Sequence, residues 1–251
     1  MRVVVRPWQR GDQLGTQAVL QEGSFSNLWP SFRIALLRPA TLCLAAVALT
    51  CCLATGAGML VTMLTLVAYF TLVFLGCLMA TVYFFYGPNF SDMKQVESSY
   101  FSCPGDHFWV AEVEGEIVGT IAVVQKQEPE LAADSSGDQT RTKSDSVQKR
   151  IRHTNSEDSR NRPTPRVAWL RRMAVKRSFR GHGIAKQLVR TVINFCRDHD
   201  YDVIFLITTE VHQPACALYS SMGFRQKAFK PCKHMGGLIN VWTYEFEMDL
   251  K

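Results

Sequence analysis

The stretch FRGHGIAKQLV, residues 179–189, contains residue types at a spacing that could do chemistry. Two glycines flank one histidine, an arginine precedes them, and an apolar helical pattern follows. Three interpretations are open: a histidine that binds metal or exchanges protons, a glycine-rich start of a helix, or a cradle for phosphate groups. The elements on either side of the stretch have to distinguish among them.

A strand followed by a glycine-rich turn and a helix makes a ready site for an anion. The unpaired N–H groups of the first helical turn point outward, and the helix dipole adds partial positive charge there. Glycine lets a phosphate approach the backbone, and Gly183 and Ala185 keep the side chains small at this point. His182, between the glycines, is expected to be a solvent-facing loop residue rather than a catalyst.

Other phosphate motifs and metal sites fit the sequence less well. A P-loop is excluded because there is no G-x-x-x-x-G-K-[ST], and the absence of G-x-G-x-x-G makes a dinucleotide fold a weak alternative. The histidines lack ligand spacing and the eight cysteines include no C-x-x-C pair, so no metal is expected. A net charge of +6, scattered along the chain, does not indicate nucleic acid as a partner.

The patterning of the chain predicts a mixed α/β fold with one sheet. Strands are predicted where β-branched and aromatic residues dominate, namely at VVVRP, in two segments of 108–126, at 167–175, at 202–209, and at RQKAFK and LINVWTYEFEMDLK. Helices are predicted after a cap at Asp12, in 91–101, over 183–198, and over 213–224 with a stop at Gly223. The near-continuous apolar run of 202–209 is typical of a buried parallel strand.

A run without any charged residue extends from Pro39 to Ser91. A bilayer crossing needs roughly 20 apolar residues, so the run could form two crossings, one membrane-embedded hairpin or one long span. The expected transmembrane region is 39–88, with a break at Gly56-Ala57-Gly58. Arg33 and Arg38 precede it and favour a cytosolic N-terminal flank. The lipid bilayer is therefore an expected partner.

Residues 127–165 differ in composition from the segments on both sides. They include no aromatic residue and are rich in Ser, Asp, Arg, Lys and Pro. Such a segment buries too little apolar surface to offset its chain entropy, so disorder is expected. It would be an insertion between two folded parts, 89–126 and 166–251.

The hexapeptide Arg180-Gly181-His182-Gly183-Ile184-Ala185 fits R-x-x-G-x-A and resembles the acetyl-CoA pyrophosphate loop of the GNAT acetyltransferase superfamily. The strand before it, LITT after its helix, and ALYSSMGF match the next elements of that fold in order. The apolar run, SDM before a helix, PG-x-x-FWVAE and FRG-x-GIAK further resemble the Camello-type membrane-bound N-acetyltransferases. That group includes cysteine-S-conjugate and aspartate N-acetyltransferases and members assigned to protein lysine acetylation. The long 127–165 insertion departs from its pattern.

The resemblance implies a GNAT fold with a central mixed sheet and an N-terminal membrane-embedded helical hairpin or span. In it, 1–38 supplies the first strand and helix, and 89–126 and 166–251 form the catalytic domain. Acetyl-CoA is the implied co-substrate, and the implied acceptor is the amine of a small amino-acid-type substrate. A protein lysine is the alternative acceptor, and a non-catalytic binding protein is a third possibility from another class. An endoplasmic-reticulum membrane with a cytosolic catalytic domain is the expected location.

The resemblance also implies which residues would contact acetyl-CoA. The pyrophosphate would lie against Arg180, Gly181, His182, Gly183, Ile184 and Ala185, mostly against their backbone. The strand before this loop, at Met173, Ala174 and Val175, would donate backbone N–H groups to the pantetheine arm and to the developing oxyanion.

The proton-transfer and acceptor-binding residues follow from the same resemblance. Tyr219 is the expected general acid, since a hydroxyl can donate a proton at neutral pH. Glu210, His212 or Glu112 could be the base, and proton loss through water without a dedicated base stays open. Arg171 and Arg172 are neighbours on a strand and are expected to point to opposite faces, so that one of them could reach a substrate carboxylate.

Overall fold

The computed structural model describes residues 2–126, 165–234 and 239–251 of the 251-residue chain. The predicted disordered insertion, 127–165, lies outside the described residues except for its last position. By contacts the chain divides into two compact units, Met1–Val19 with Val96–Lys251, and Leu20–Gln95. The first unit carries the sheet and the second carries the apolar helices.

The described residues of the first unit form a seven-stranded mixed sheet. Its strands are β1 (Val3–Pro7), β2 (His107–Val113), β3 (Glu116–Gln125), β4 (Val167–Val175), β5 (Val203–Thr209), β6 (Arg225–His234) and β7 (Ile239–Asp249). They lie in the order β1-β2-β3-β4-β5-β7-β6, and only β4 and β5 pair in parallel. The prediction of one mixed sheet is confirmed.

The helices follow the predicted order along the chain. They are α1 (Gln13–Phe25), α2 (Leu28–Leu36), α3 (Pro39–Ala54), α4 (Met59–Tyr86), α5 (Val96–Tyr100), α6 (Ile184–Asp198) and α7 (Gln213–Ser221). The predicted helix in 91–101 is shorter than expected, because Pro88–Lys94 forms 3-10 turns before α5. The α7 helix ends before Gly223, whose φ of 94° suits glycine.

The hydrophobic core of the first unit lies where α6 packs on the sheet. Ile184, Leu188 and Val192 recur at helical spacing and are buried together on one side of α6. The β5 residues Ile204 and Leu206 belong to the same core. This burial fixes where α6 begins, and therefore fixes the turn that joins it to β4.

At the far edge of the sheet, Arg6 of β1 makes one ion pair with β2 and another with the turn before α1. Arg6 Nε lies 2.7 Å from Glu112 Oε2, and Arg6 Nη1 lies 2.7 Å from Asp12 Oδ2. The same Asp12 carboxylate accepts the N–H of Gln9 at 2.8 Å, so it braces the short turn before α1. Glu112 is on β2, with β3 between it and β4, and its carboxylate is engaged by Arg6. We therefore do not retain Glu112 as a candidate base.

A buried tyrosine ties two loops of the first unit together. The hydroxyl of Tyr201, a residue only 1% exposed, donates to the carbonyl of Gly105 at 2.7 Å. Burial raises the pKa of Tyr201 to about 12, so the donor stays protonated at neutral pH. A side chain at Gly105 would collide with this hydroxyl, which explains why glycine occupies that position.

The second unit contains α4, a helix long and apolar enough to cross a bilayer. It has 28 residues, and its most apolar 18-residue stretch has a mean hydropathy of 2.2 and is entirely unburied. At 1.5 Å per residue it is about 42 Å long, against roughly 30 Å for the hydrocarbon core of a bilayer. Tyr83, Phe84 and Tyr86 are exposed at its end, as expected of an interfacial aromatic belt.

The α3 helix is too short for the same role. Its 16 residues span about 24 Å, less than the hydrocarbon core of a bilayer, and it reaches the length of a crossing only together with Arg10–Leu36, across a bend of 63°. The predicted break at Gly56-Ala57-Gly58 does separate α3 from α4. Among the described residues, one helix is thus long and apolar enough to span a membrane, or up to two if the bent pair counts as one span. A hairpin of two equal crossings is not shown.

Removing the Tyr201 hydroxyl should destabilise the first unit. Tyr201→Phe keeps the ring but leaves the buried Gly105 carbonyl without its donor, which costs about 1–2 kcal/mol and should lower Tm by roughly 2–8 °C. Thermal unfolding of the purified full chain measures the change. Tyr244→Phe is the matched control, because no hydrogen bond joins its hydroxyl to the described residues. Equal Tm values for the two variants would contradict the assignment.

Candidate functional site

The parallel strands β4 and β5 pair over a short distance only. Three positions are in register, and the last is Trp169 opposite Phe205. Beyond it β4 continues along β3 to Val175, while β5 continues along β7 to Thr209. The two strands therefore part toward their carboxyl ends. In open α/β sheets, ligands bind at the carboxyl ends of parallel strands, in the crevice where neighbouring connections leave in different directions.

A bulge interrupts β4 where the two strands part. Arg172 has a φ of 53°, and the register with β3 shifts between Thr120 and Ala122. The Thr120 hydroxyl, on a residue with no exposed surface, donates to the carbonyl of Arg172 at 2.8 Å. An extra residue in one strand bends that strand and increases its twist. This buried hydrogen bond therefore stabilises the bend by which β4 separates from β5.

The bulge also changes which β4 residues face the core. Before it, Ala168 and Leu170 contact the core at a spacing of two, and the next core contact is Met173, at a spacing of three. The spacing of the core contacts therefore changes from two to three at the bulge. The prediction that Arg171 and Arg172 point to opposite faces stays a prediction. Met173, Ala174 and Val175 follow the bulge and end the strand.

Arg171 lies on the sheet face opposite the core. Its guanidinium covers the ring of Trp169, with Cζ 4.5 Å from the ring centroid. The side chain is half-buried, and within the described residues no carboxylate pairs with it. Ile207, two residues after Phe205 and on the same face, is 38% exposed. Trp169, Arg171 and Ile207 therefore lie on the same face of the sheet.

The glycine-rich loop joins β4 to α6 through two residues in left-handed conformation. Gly181 has a φ of 83° and Gly183 a φ of 78°. A side chain in this region costs roughly 1–2 kcal/mol, so the backbone shape itself calls for glycine. A Cβ at either position would meet nothing within 4 Å, so the space beside the loop is open.

The start of α6 presents its first N–H groups to that open space. Gly183 caps the helix without a side-chain bond, and its carbonyl accepts the first helical bond from Gln187 at 3.1 Å. The N–H groups of the intervening turn, from Ile184 to Lys186, have no partner within the helix. Unpaired donors and the positive end of the helix dipole suit a pyrophosphate, so the loop fits acetyl-CoA.

Side chains of the loop hold it to the strand rather than reaching into the open space. Arg180 Nε donates to the carbonyl of Val175 at 3.1 Å. The exposed His182 folds back, with Nδ1 3.1 Å from the carbonyl of Arg180. Both contacts act on the shape of the backbone, which is the part of the loop predicted to bind.

Tyr219 lies on α7 and is 4% exposed. Its ring contacts Phe224 and Phe246, with centroids 5.6 and 6.0 Å away. Burial, with a smaller contribution from Cys216, raises the pKa of Tyr219 above its usual value. The hydroxyl is therefore protonated at neutral pH, as a general acid must be before it donates.

Glu210 holds the turn between β5 and α7. Its N–H donates to the carbonyl of Trp242 at 2.9 Å, and its Oε1 accepts the Trp242 N–H at 3.1 Å. Its own carbonyl accepts from Gln213 Nε2 at 2.9 Å. One carboxylate oxygen is thus engaged with β7, which favours a structural role for Glu210.

His212 is the N-cap residue of α7 and contacts the end of β5. Its Nδ1 lies 2.7 Å from Thr209 Oγ1, and its N–H donates to the Thr209 carbonyl at 3.0 Å. Burial, and then the positive charge of Arg180, lower the pKa of His212. The imidazole is therefore neutral at neutral pH.

The structure brings some of the predicted residues together and separates others. The glycine-rich loop, the end of β4 and His212 meet at the carboxyl ends of β4 and β5. Sequence reasoning missed Thr120, Trp169 and Thr209. Only Thr209 had a signal that could have drawn attention to it, because it is the last residue of LITT. In the described parts of the chain, no group of three or more His, Cys, Asp or Glu residues could hold a metal ion.

Comparisons with known proteins agree on one family. Residues 78–224 match the family model described as the acetyltransferase (GNAT) family. N-acetyltransferase 8 of Mus musculus is 31% identical over 245 residues, which cover 96% of this chain and 92% of that protein. N-acetyltransferase 8B of Homo sapiens is 30% identical over 243 residues, with 96% and 92% covered. N-acetylaspartate synthetase of Xenopus tropicalis is 34% identical over 135 residues, 54% of this chain and 36% of that protein.

Solved structures share the fold. A GNAT-family acetyltransferase from Staphylococcus aureus Mu50 matches with a TM-score of 0.51 at 17% identity, over 100% of both chains. A putative GNAT-family acetyltransferase from Desulfovibrio desulfuricans matches with a TM-score of 0.50 at 12% identity, again over 100% of both chains. At such identities these likenesses concern the fold alone.

A negative charge at Gly183 should abolish acetyl-CoA binding, because it would face the pyrophosphate at the helix start. Gly183→Glu is compared with Gly183→Gln, which has nearly the same bulk and the same backbone strain without the charge. We expect Kd for acetyl-CoA to rise about 100-fold for Glu and about tenfold or less for Gln, a difference of one charge–charge contact. Calorimetry measures both values. Wild-type affinity in the Glu variant would contradict the loop assignment.

Proposed function

Because this chain belongs to the GNAT acetyltransferase family, in the group around N-acetyltransferase 8, and is an acetyl-CoA-dependent N-acetyltransferase, we propose that its acceptor is a small amino-acid-type amine. A cysteine conjugate and a free amino acid are the two acceptors of this type. The name of one relative, N-acetylaspartate synthetase, supports an amino acid.

The observation that carries this proposal is the half-buried guanidinium of Arg171. It lies on Trp169 beside the point where β4 and β5 part, and no described carboxylate pairs with it. A partly desolvated arginine binds a carboxylate well, since two parallel N–H···O bonds can form. Every amino-acid-type acceptor carries such a carboxylate close to its amine, whereas a lysine side chain within a protein does not. The exposed Ile207 would contact the acceptor's side chain.

In the proposed reaction, acetyl-CoA supplies the acetyl group as a thioester and the chain manages the protons. The acceptor amine must be neutral to attack, and His212, which is neutral at neutral pH, would take its proton. Tyr219 would donate to the departing sulfur. Backbone N–H groups at Met173, Ala174 and Val175 would stabilise the negative charge that develops on the carbonyl oxygen.

We further propose that the apolar run, chiefly through α4, anchors the chain in the endoplasmic-reticulum membrane and returns to the side from which it entered, because β1 before the run and β2 after it pair in one sheet. The catalytic unit would then lie on the cytosolic side. The support is the length and apolarity of α4, together with Arg33 and Arg38 before the apolar run. Acetyl-CoA from the cytosol would then reach the site directly. Protease protection of the catalytic unit in sealed microsomes would contradict this orientation.

The Arg171 assignment predicts a coupling between one protein group and one substrate group. Arg171→Gln should raise KM for an amino-acid acceptor by roughly 30-fold with little change in KM for acetyl-CoA, because about 2 kcal/mol of charged hydrogen bonding is lost. The wild type should lose a similar factor on the carboxamide analogue of the acceptor. The variant should not distinguish the acid from the amide. Release of CoA thiol measures all four combinations.

The matched control for that experiment is Arg190→Gln, which removes an exposed charge from α6 and should leave KM for the acceptor unchanged. A panel with aspartate, an S-substituted cysteine and a lysine peptide identifies the acceptor class. Equal use of acid and amide by the wild type, or preference for the lysine peptide, would overturn the proposal.

The lowered pKa of His212 predicts the pH dependence of turnover. As pH falls through that pKa the imidazole gains a proton and can no longer act as a base, so kcat should fall on the acidic side. Because burial and Arg180 lower the pKa from its ordinary value of 6.5, the fall should lie below pH 6.5. His212→Asn should reduce kcat by about 100-fold and abolish this limb. A limb that survives in His212→Asn would assign it to another group.

A further inference from the structure

We infer that Thr209 is a positioning residue for this reaction: its hydroxyl accepts a hydrogen bond from Nδ1–H of His212 and so leaves Nε2 with the lone pair that receives the acceptor's proton. The inference rests on the proposed function, in which His212 is the base. Thr209 itself would contact neither the acceptor nor the reacting atoms.

Thr209 makes two contacts with His212 from a fixed place in the sheet. It is the last residue of β5 and lies in register with Thr243 of β7. Its carbonyl accepts the His212 N–H at 3.0 Å, while Oγ1 lies 2.7 Å from Nδ1 of the ring. The backbone and the imidazole of His212 are thus both held by one residue.

The turn between these two residues is held as well. Glu210, between Thr209 and His212, exchanges two hydrogen bonds with the backbone of Trp242 on β7, at 2.9 and 3.1 Å. The distance from Thr209 Oγ1 to the ring of His212 is therefore set by the sheet rather than by a free loop. A positioning role requires this kind of support from its surroundings.

The tautomer decides whether a neutral imidazole can be a base. One ring nitrogen carries the proton and the other the lone pair, and the hydrogen bond made by one nitrogen sets the state of the other. If Nδ1–H donates to Thr209, the lone pair of the neutral ring is on Nε2. If instead the Thr209 hydroxyl donated to Nδ1, Nε2 would carry the proton and the ring could only donate.

A hydroxyl is a suitable partner in these surroundings. Among the described residues, the charged or titratable groups around this turn are Arg180, Glu210 and Cys216. The charge of Arg180 lowers the pKa of the ring, Glu210 Oε1 accepts the Trp242 N–H, and the Cys216 N–H donates to the His212 carbonyl. A carboxylate partner would stabilise the imidazolium and raise its pKa. Thr209 orients the ring without adding that negative charge, so the base stays unprotonated before the acceptor arrives.

The test compares three substitutions in the full chain. Thr209→Val removes the hydroxyl at nearly constant volume and should lower kcat about tenfold, with KM for acetyl-CoA within twofold of the wild type, as expected for loss of base orientation alone. Thr209→Ser keeps the hydroxyl and should restore most of kcat. Thr208→Val is the matched control, since it makes the same change one position away, on the opposite sheet face. Thr209→Ala replaces the Val variant if that variant fails to fold.

A spectroscopic readout separates orientation from general loss of structure. Nitrogen-15 NMR of labelled histidine, with the His212 signals identified by difference against His212→Asn, reports which ring nitrogen carries the proton. We expect Nδ1–H in the wild type and a shift toward Nε2–H in Thr209→Val.

Wild-type kcat in Thr209→Val, or an Nε2–H signature in the wild type, would overturn the inference. Full activity in His212→Asn would instead overturn the proposed base. The two failures are therefore distinguishable.

Discussion

The hydrogen bond from Thr120 to the carbonyl of Arg172 is the interaction on which the rest of the site depends. It is made by a residue without exposed surface, and it stabilises a left-handed residue within a strand, a conformation that costs roughly 1–3 kcal/mol. Through the bulge β4 leaves β5 after Trp169, and the carboxyl ends of the two strands become available to a ligand. The glycine-rich loop, the start of α6 and the turn that carries His212 all begin where these strands end.

Much of the fold could be predicted from the sequence because its periodic patterns are strong. The bounds of β4, 167–175, were predicted to the residue, and the runs that became β5 and α6 differ by one residue at their starts. The bulge could not be predicted. VAWLRRMAV has an alternation that continues through Arg172, and the shift comes from pairing with Thr120, some 50 residues earlier in the chain. Likewise, the length of α4 relative to α3 follows from where Gly56-Ala57-Gly58 breaks one continuous apolar run.

The part of the candidate site that is formed by backbone groups could be predicted from the sequence. A glycine-rich turn before an amphipathic helix specifies its own geometry, and both Gly181 and Gly183 have the left-handed φ that such a turn requires. Side-chain roles depend on partners that are distant in sequence. In the sequence, Glu210 and His212 are equally good candidates for the base. In the structure, the N–H of Trp242 donates to the Glu210 carboxylate, and the charge of Arg180 lowers the pKa of His212. A single threonine at a strand end gives no signal until its distance to His212 is known.

The influence of Arg180 on His212 would couple the acetyl-donor site to the proposed base thermodynamically. After burial, the guanidinium is the second cause that lowers the basicity of the imidazole. A pyrophosphate beside the loop would offset part of that positive charge, so His212 would become a stronger base once the acetyl donor is bound. By reciprocity, donor binding would be accompanied by uptake of a fraction of a proton, and protons and donor would favour each other's binding. The same coupling would act when CoA is bound, because CoA carries the same pyrophosphate.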